Sequence, residues 1–153
     1  MNHEFRLACA LCDYVKVQYP AVVRDMGWFA VPNGEYRNKV TAGKLKRTGV
    51  LPGVPDYLLS RPSGQYKQLW LEIKHEVGKV NHEQKAFLLN HNSDWEMTLV
   101  GYGYTENKYI IDTWMKGAAH ELEWMRDCPG KRARNKGWKE RASNATEESA
   151  MRG

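Results

Sequence analysis

Asp56, Glu72 and Lys74 are the residues of this chain whose types and spacing could do chemistry together. They lie in two short runs, Gly53-Val54-Pro55-Asp56-Tyr57-Leu58-Leu59 and Leu69-Trp70-Leu71-Glu72-Ile73-Lys74, with Arg61-Pro62-Ser63-Gly64 between them. Both runs are rich in apolar residues and bounded by turn formers, which predicts two strands of a hairpin. Pairing about a turn at Gly64 sets Asp56 opposite Glu72 and Leu58 opposite Trp70. Alternation along a strand then gives Lys74 the face of Glu72 and turns Leu69, Leu71 and Ile73 to the other side. Opposed side chains on such a face are about 4.5–5.5 Å apart at the β-carbons. Two carboxylates that close repel unless positive charge lies between them, and a divalent cation with oxygen ligands would supply it. The pattern therefore reads as a metal site with a lysine beside it. An exposed, solvated sheet face would also accept these residues, so the decision falls to the rest of the chain.

The elements that must position these groups are legible in outline. His3 to Tyr19 is a helix candidate with Asn2 as cap and Pro20 as stop. Glu4, Ala8, Leu11 and Val15 share one face, with Leu7 and Tyr14 beside them, so Glu4 falls at the edge of the buried stripe. An acid in the first turn also suits the helix dipole. Gly27 to Val31 is an apolar run ended by Pro32-Asn33-Gly34, read as a first strand buried on both faces. Glu35 to Leu51 is polar and basic, a long connection with one helical turn expected around Ala42 to Arg47; connections of that length tend to be functional. Asn81 to Asn92 is a second helix. Asn81 and Gln84 have capping-box spacing, so Gln84 either reaches back to the backbone or points into the carboxylate site. Trp95 to Tyr102 is a fourth strand, and Glu106 to Lys116 a further helix capped by Thr105. Together these predict an α/β chain with one domain over residues 1–126. A basic, flexible tail is expected over 127–153.

At 153 residues and 42% hydrophobic content the chain can build one real core. It has no apolar run long enough to span a membrane, and its first residues do not resemble a secretory signal. Three cysteines are not a disulfide framework. Cys9 and Cys12 form a Cys-x-x-Cys on a helix without a second pair, so small buried side chains are expected there in place of zinc ligands. A reduced, cytoplasmic protein is the default expectation. The formal charge of +5 is unevenly spread. No acid lies between Glu35 and Asp56, where Arg37, Lys39, Lys44, Lys46 and Arg47 all fall, and Lys131 to Arg141 is basic again. Two basic segments on a balanced body are the footprint of a nucleic-acid binder. A basic loop leading into the carboxylate hairpin is what a phosphodiester backbone would dock against.

Helix, strand, hairpin, helix, strand, with Asp on one hairpin strand and Glu-x-Lys on the next, resembles the PD-(D/E)xK nuclease superfamily. Within it the chain is most similar to the virus-type replication-repair nuclease (VRR-NUC) family. The similarity is carried by Glu4, Ala30-Val31-Pro32-Asn33-Gly34, Gly49-Val50-Leu51-Pro52-Gly53-Val54-Pro55-Asp56, Leu71-Glu72-Ile73-Lys74 and Glu83-Gln84-Lys85, across residues 3 to 115. The resemblance implies an α/β fold with a mixed sheet flanked by helices and a restriction-endonuclease-like αβββαβ core. It further implies a Mg2+ or Mn2+ ion held by Asp56, Glu72 and the backbone carbonyl of Ile73, with Glu4 and Gln84 completing the pocket. It implies hydrolysis of DNA phosphodiester bonds, selective for structured DNA in the manner of a Holliday-junction resolvase in phage or bacterial replication and repair, by a homodimer. A non-specific or flap-type nuclease and a non-catalytic DNA-binding protein on the same fold are the competing readings. Lys74 would orient the attacking water or stabilise charge on the phosphoryl oxygens. Lys79 and the segment Arg37, Lys39, Lys44, Lys46 and Arg47 would hold the DNA backbone without reading sequence. The segment after Gly117 has no counterpart in the family pattern.

Overall fold

The computed structural model describes residues 2–32 and 39–126. Arg37 and the basic tail from 127 onward lie outside the described residues, and Lys39 is described only as part of a helix. The elements in order are α1 (His3–Gln18), α2 (Pro20–Arg24), β1 (Trp28–Ala30), α3 (Lys39–Arg47), β2 (Tyr57–Leu59), β3 (Gln68–Lys74), α4 (His82–Asn90), β4 (Glu96–Tyr102), α5 (Gly103–Met115), a 3-10 turn (Ala119–Leu122) and α6 (Glu123–Arg126). The four strands form one mixed sheet in the order β1-β2-β3-β4. β1–β2 and β2–β3 are antiparallel and β3–β4 parallel. α4 makes the crossover that a parallel pair needs.

The hairpin register is the one expected from a turn at Gly64: Tyr57 pairs with Leu71, Leu58 with Trp70 and Leu59 with Leu69. Gly64 has φ +57° and Ser63 bridges Tyr66, which closes the turn. Alternation then divides the sheet. Trp28, Tyr57, Leu59, Leu69, Leu71, Ile73, Met97 and Leu99 face a core completed by Leu7, Leu11 and Val15 of α1 and Ile110, Ile111 and Trp114 of α5. Burying a side chain of this size is worth roughly 1.5–3 kcal/mol, so this layer decides the register; the opposite face carries the polar groups of β3 beside a smaller apolar cluster of Leu88, Val100 and Tyr102. α1 is tied to α5 by Tyr14 and Tyr19, whose hydroxyls donate to Asp112 at 2.5 and 2.6 Å, while Lys108 holds the second oxygen of Asp112 at 2.7 Å. This clamp fixes the helix that carries Glu4.

Four expectations are corrected. β1 is an edge strand with one buried face only: Trp28 is inside, but Phe29 is 43% exposed. An apolar triplet has no polar alternation to show which side meets solvent. The basic connection holds a nine-residue helix, α3, where one turn was expected. Gly43 in its interior disguises it, and Gly49 is its stop. With φ +92°, Gly49 lets the Val50 amide reach the Leu45 carbonyl (3.0 Å) and its own amide reach Lys46 (3.2 Å), the left-handed ending that glycine permits. Pro20, expected as a terminator, also begins α2, because proline is well placed at a first helical position. Cys9 is exposed and Cys12 partly so, with its thiol 3.3 Å from the Tyr57 hydroxyl. No helix among the described residues is long and apolar enough to cross a membrane.

Candidate functional site

The face of β3 turned away from the main core carries Gln68, Trp70, Glu72 and Lys74, at every second position. Asp56 immediately precedes β2, and the hairpin register carried on one residue sets it opposite Glu72. Its carboxylate accepts the Ile73 amide at 2.9 Å, and its own carbonyl accepts the Val31 amide at 2.7 Å. Asp56 is thus pinned from both neighbouring strands. One more residue along the register, Pro55 falls opposite Ile73. Proline has no N–H to offer the Ile73 carbonyl, so that carbonyl receives no ladder bond from it.

Glu72 is 2% exposed. One of its oxygens, Oε1, accepts from Lys74 Nζ at 2.6 Å and from Gln84 Nε2. The other, Oε2, is buried with no hydrogen-bond partner. A buried neutral group left in that state costs about 1–3 kcal/mol and a carboxylate oxygen more, and the arrangement suits a ligand brought from outside. Lys74 reaches Glu4 Oε1 at 4.0 Å as well. Glu4 stands at the start of α1, its own amide capped by the Asn2 side chain at 3.0 Å. The loop after β3 returns over the lysine: a side chain at Gly78 would meet Lys74 Cβ and Cδ at 3.1 Å.

Gln84 resolves its two sequence readings by doing both. Its Oε1 accepts the Asn81 amide at 3.0 Å in a capping box, and its Nε2 donates to Glu72. The start of α4 is pressed onto the hairpin at Gly53, whose φ is +86°; a β-carbon there would come within 2.5 Å of the Glu83 backbone. No residue but glycine fits this close approach, and it brings Asp56 and Gln84 to the same pocket.

The charges answer to burial. Glu72 is pushed up from 4.5 to about 7, chiefly by burial and then by the Asp56 carboxylate opposite, with Lys74 pulling the other way. Asp56 is also raised, again mainly by burial, against the lowering effect of the Ile73 amide and of Lys74. Burial alone would drive Lys74 down, but Glu72, Glu4 and Asp56 together outweigh it and hold the ammonium above its ordinary value. A protonated Lys74 therefore lies among the carboxylates, supplying the positive charge that their closeness demands.

Glu4, Asp56, Glu72, Lys74 and Gln84 are thus gathered at one end of the sheet, with Ile73 among them. Among the described residues no three His, Cys, Asp or Glu side chains converge closely enough to hold a metal ion by themselves. Two carboxylates and a backbone carbonyl, all hard oxygen donors, with one Glu72 oxygen unengaged, nonetheless fit an octahedral ion of the magnesium kind, which keeps several waters. Lys44, Lys46, Arg47 and Lys79 are exposed. The first three cluster in the last turn of α3, a helix without extensive packing against any strand. The sequence reading passed over the buried Glu96, which accepts from Gln68 Nε2 and Trp70 Nε1 at 2.6 Å each and so fixes the indole beside the carboxylates. Its only signal was the alternation of β3, which puts Trp70 and Glu72 on one face.

No family model matches the chain, and no curated protein does. Among solved structures, a "VRR_NUC domain protein" superposes with a TM-score of 0.62 at 20% identity, over 76% of this chain and 90% of that one. At that identity the agreement is one of backbone architecture: the chain has the fold of a VRR_NUC domain.

Proposed function

We propose that the chain is a metal-dependent endonuclease that hydrolyses DNA phosphodiester bonds. The observation that carries this reading is the convergence of Asp56, Glu72 and Lys74 on one sheet face, with a buried oxygen of Glu72 unengaged. The VRR_NUC fold supports it. Asp56, Glu72 and the Ile73 carbonyl would hold Mg2+ or Mn2+, and Glu4, at the rim, would hold that ion's waters or a second ion. A divalent ion bound there would supply Lewis-acid polarisation of the phosphate and lower the pKa of a coordinated water.

The protein's own groups do the rest. Gln84 fixes Glu72 through Oε1, and Oε2 is left without a hydrogen-bond partner. Lys74, kept protonated by its three acidic neighbours, places a positive charge where the phosphoryl oxygens become more negative and donates to the approaching water. Glu4, 4.0 Å from the ammonium, adds to the negative charge that keeps it protonated. Lys44, Lys46, Arg47 and Lys79 take the flanking phosphates, with Arg37 and Lys39 completing that segment; such contacts give affinity without sequence reading.

The finer reading is a structure-selective, Holliday-junction-resolvase-like cut by a cytoplasmic homodimer in phage or bacterial replication and repair. Flap-type or non-specific cleavage of the same bond competes with it. The test is one preparation, of known mass in solution, incubated with four-way junction, flap, linear duplex and single strand in Mg2+ or Mn2+, with chelator controls. Chelator-sensitive cleavage that is strongest on the junction is the expected result. Binding without any cleavage would leave a DNA-binding protein on a nuclease fold.

A further inference from the structure

The same sheet face that carries the carboxylates carries an apolar row beside them. Phe29 of β1 pairs with Leu58 of β2, and Leu58 pairs with Trp70 of β3, so the three side chains stand in line across the sheet. Phe29 is 43% exposed, Leu58 and Trp70 partly exposed. The next row on this face, about 7 Å further along the strands, is that of Asp56 and Glu72. An exposed aromatic on an edge strand is not required by the core, which takes Trp28 from the same strand.

Trp70 is held with unusual care for a surface group. Its Nε1 donates to the buried Glu96 at 2.6 Å, the edge of Phe87 meets it with ring centroids 5.3 Å apart at 76°, and Phe87 in turn stacks on His91 at 3.9 Å. A ring fixed in advance loses little freedom when something stacks on it.

We infer that Phe29 and Trp70 form a platform for an unpaired nucleobase of the strand being cut. The choice of occupant rests on the nuclease reading. A molecule on this row lies one step along the strands from the carboxylates and from Lys74, which is paired with Glu72, and an aromatic platform beside positive charge is how single-stranded nucleic acid is held. A base inside a duplex cannot reach the sheet face, so the platform selects DNA whose strand is unpaired next to the scissile phosphate. The aromatic row thereby discriminates substrates, while the carboxylates handle the bond.

The test uses the full chain and two labelled probes: a blunt duplex, and the same duplex with a run of unpaired thymidines. Binding is followed by anisotropy in EDTA and again in Ca2+. Phe29→Ala and Trp70→Leu should each weaken binding of the tailed probe by on the order of tenfold and leave the blunt duplex unchanged. Phe29 is exposed, so its variant folds; a thermal melt checks the Trp70 variant. Equal losses on both probes, no loss on the tailed one, or no wild-type preference for it would overturn the inference. So would a change of mass in sedimentation for Phe29→Ala, which would show a second copy of the chain on this row. A tailed-probe preference without cleavage in Mg2+ or Mn2+ removes the nuclease reading alone; cleavage without that preference removes the platform alone.

Discussion

Replacing Glu72 by glutamine should make the metal-free protein more stable while removing its response to metal. Folding lifts the Glu72 carboxyl from 4.5 to about 7. At about 1.4 kcal/mol for each tenfold change in proton affinity, keeping it ionised above pH 7 costs about 3 kcal/mol of folding free energy. The sign follows from the raised value: the folded state binds this proton more tightly, so the associated stability is complete below pH 4.5. It is lost as pH rises through about 7. Glutamine avoids the loss, and its Oε1 can still accept from Lys74 and Gln84. Against this, Lys74 loses its nearest negative charge, and an amide nitrogen standing where the unengaged oxygen was would lack an acceptor, at about 1–3 kcal/mol. These costs offset part of the gain, so the net stabilisation at pH 8 is smaller than about 3 kcal/mol. Urea unfolding in chelator, from pH 4.5 to 8, reads it directly. Wild type should weaken across the range, the variant much less, and added Mg2+ or Mn2+ should stabilise only wild type. A variant less stable than wild type at pH 8, with a parallel pH profile, would refute the account of Glu72 as a strained ligand.

Lys74→Ala should retain DNA binding and lose cleavage in either metal; undiminished activity in a nicking assay would take the lysine out of the mechanism. Neutralising Lys44, Lys46 and Arg47 together should weaken DNA binding and reduce the slope of log affinity against log salt by about 2–3. An unchanged slope would show that α3 lies away from the DNA. Gly53→Ala should cost about 1–3 kcal/mol or more of stability, because φ is +86° and the Glu83 backbone blocks the new β-carbon. It should also lower cleavage by parting Asp56 from Gln84. A thermal melt that matches wild type would contradict the contact.

The hairpin was legible because its information is local: a turn at Gly64 and strict alternation fix which residues face each other, and a slip of one would drive Glu72 into the apolar core and turn Leu71 onto the carboxylate face. α3 was obscured because Gly43 and a run of polar residues give no buried stripe to read; with few partners in the fold, that helix has none to declare. β1 misled for the opposite reason. An apolar run announces burial, yet its place at the sheet edge comes from the whole strand order, which no local pattern contains.

Gln84 could not be decided from sequence because its two readings were not exclusive. An amide side chain has an acceptor and a donor, and capping uses only the acceptor. The donor is then aimed by the cap itself: the helix start fixes the plane of the amide and directs Nε2 at Glu72. Lys74 follows the same logic. Three acids hold its charge, and that charge in turn makes their proximity tolerable. One Glu72 oxygen is left outside these bonds. A helix cap, a glycine contact and an ion pair, each explicable as packing, thus combine to present one unengaged oxygen beside a fixed positive charge, and the proposed hydrolysis of a phosphodiester rests on that combination.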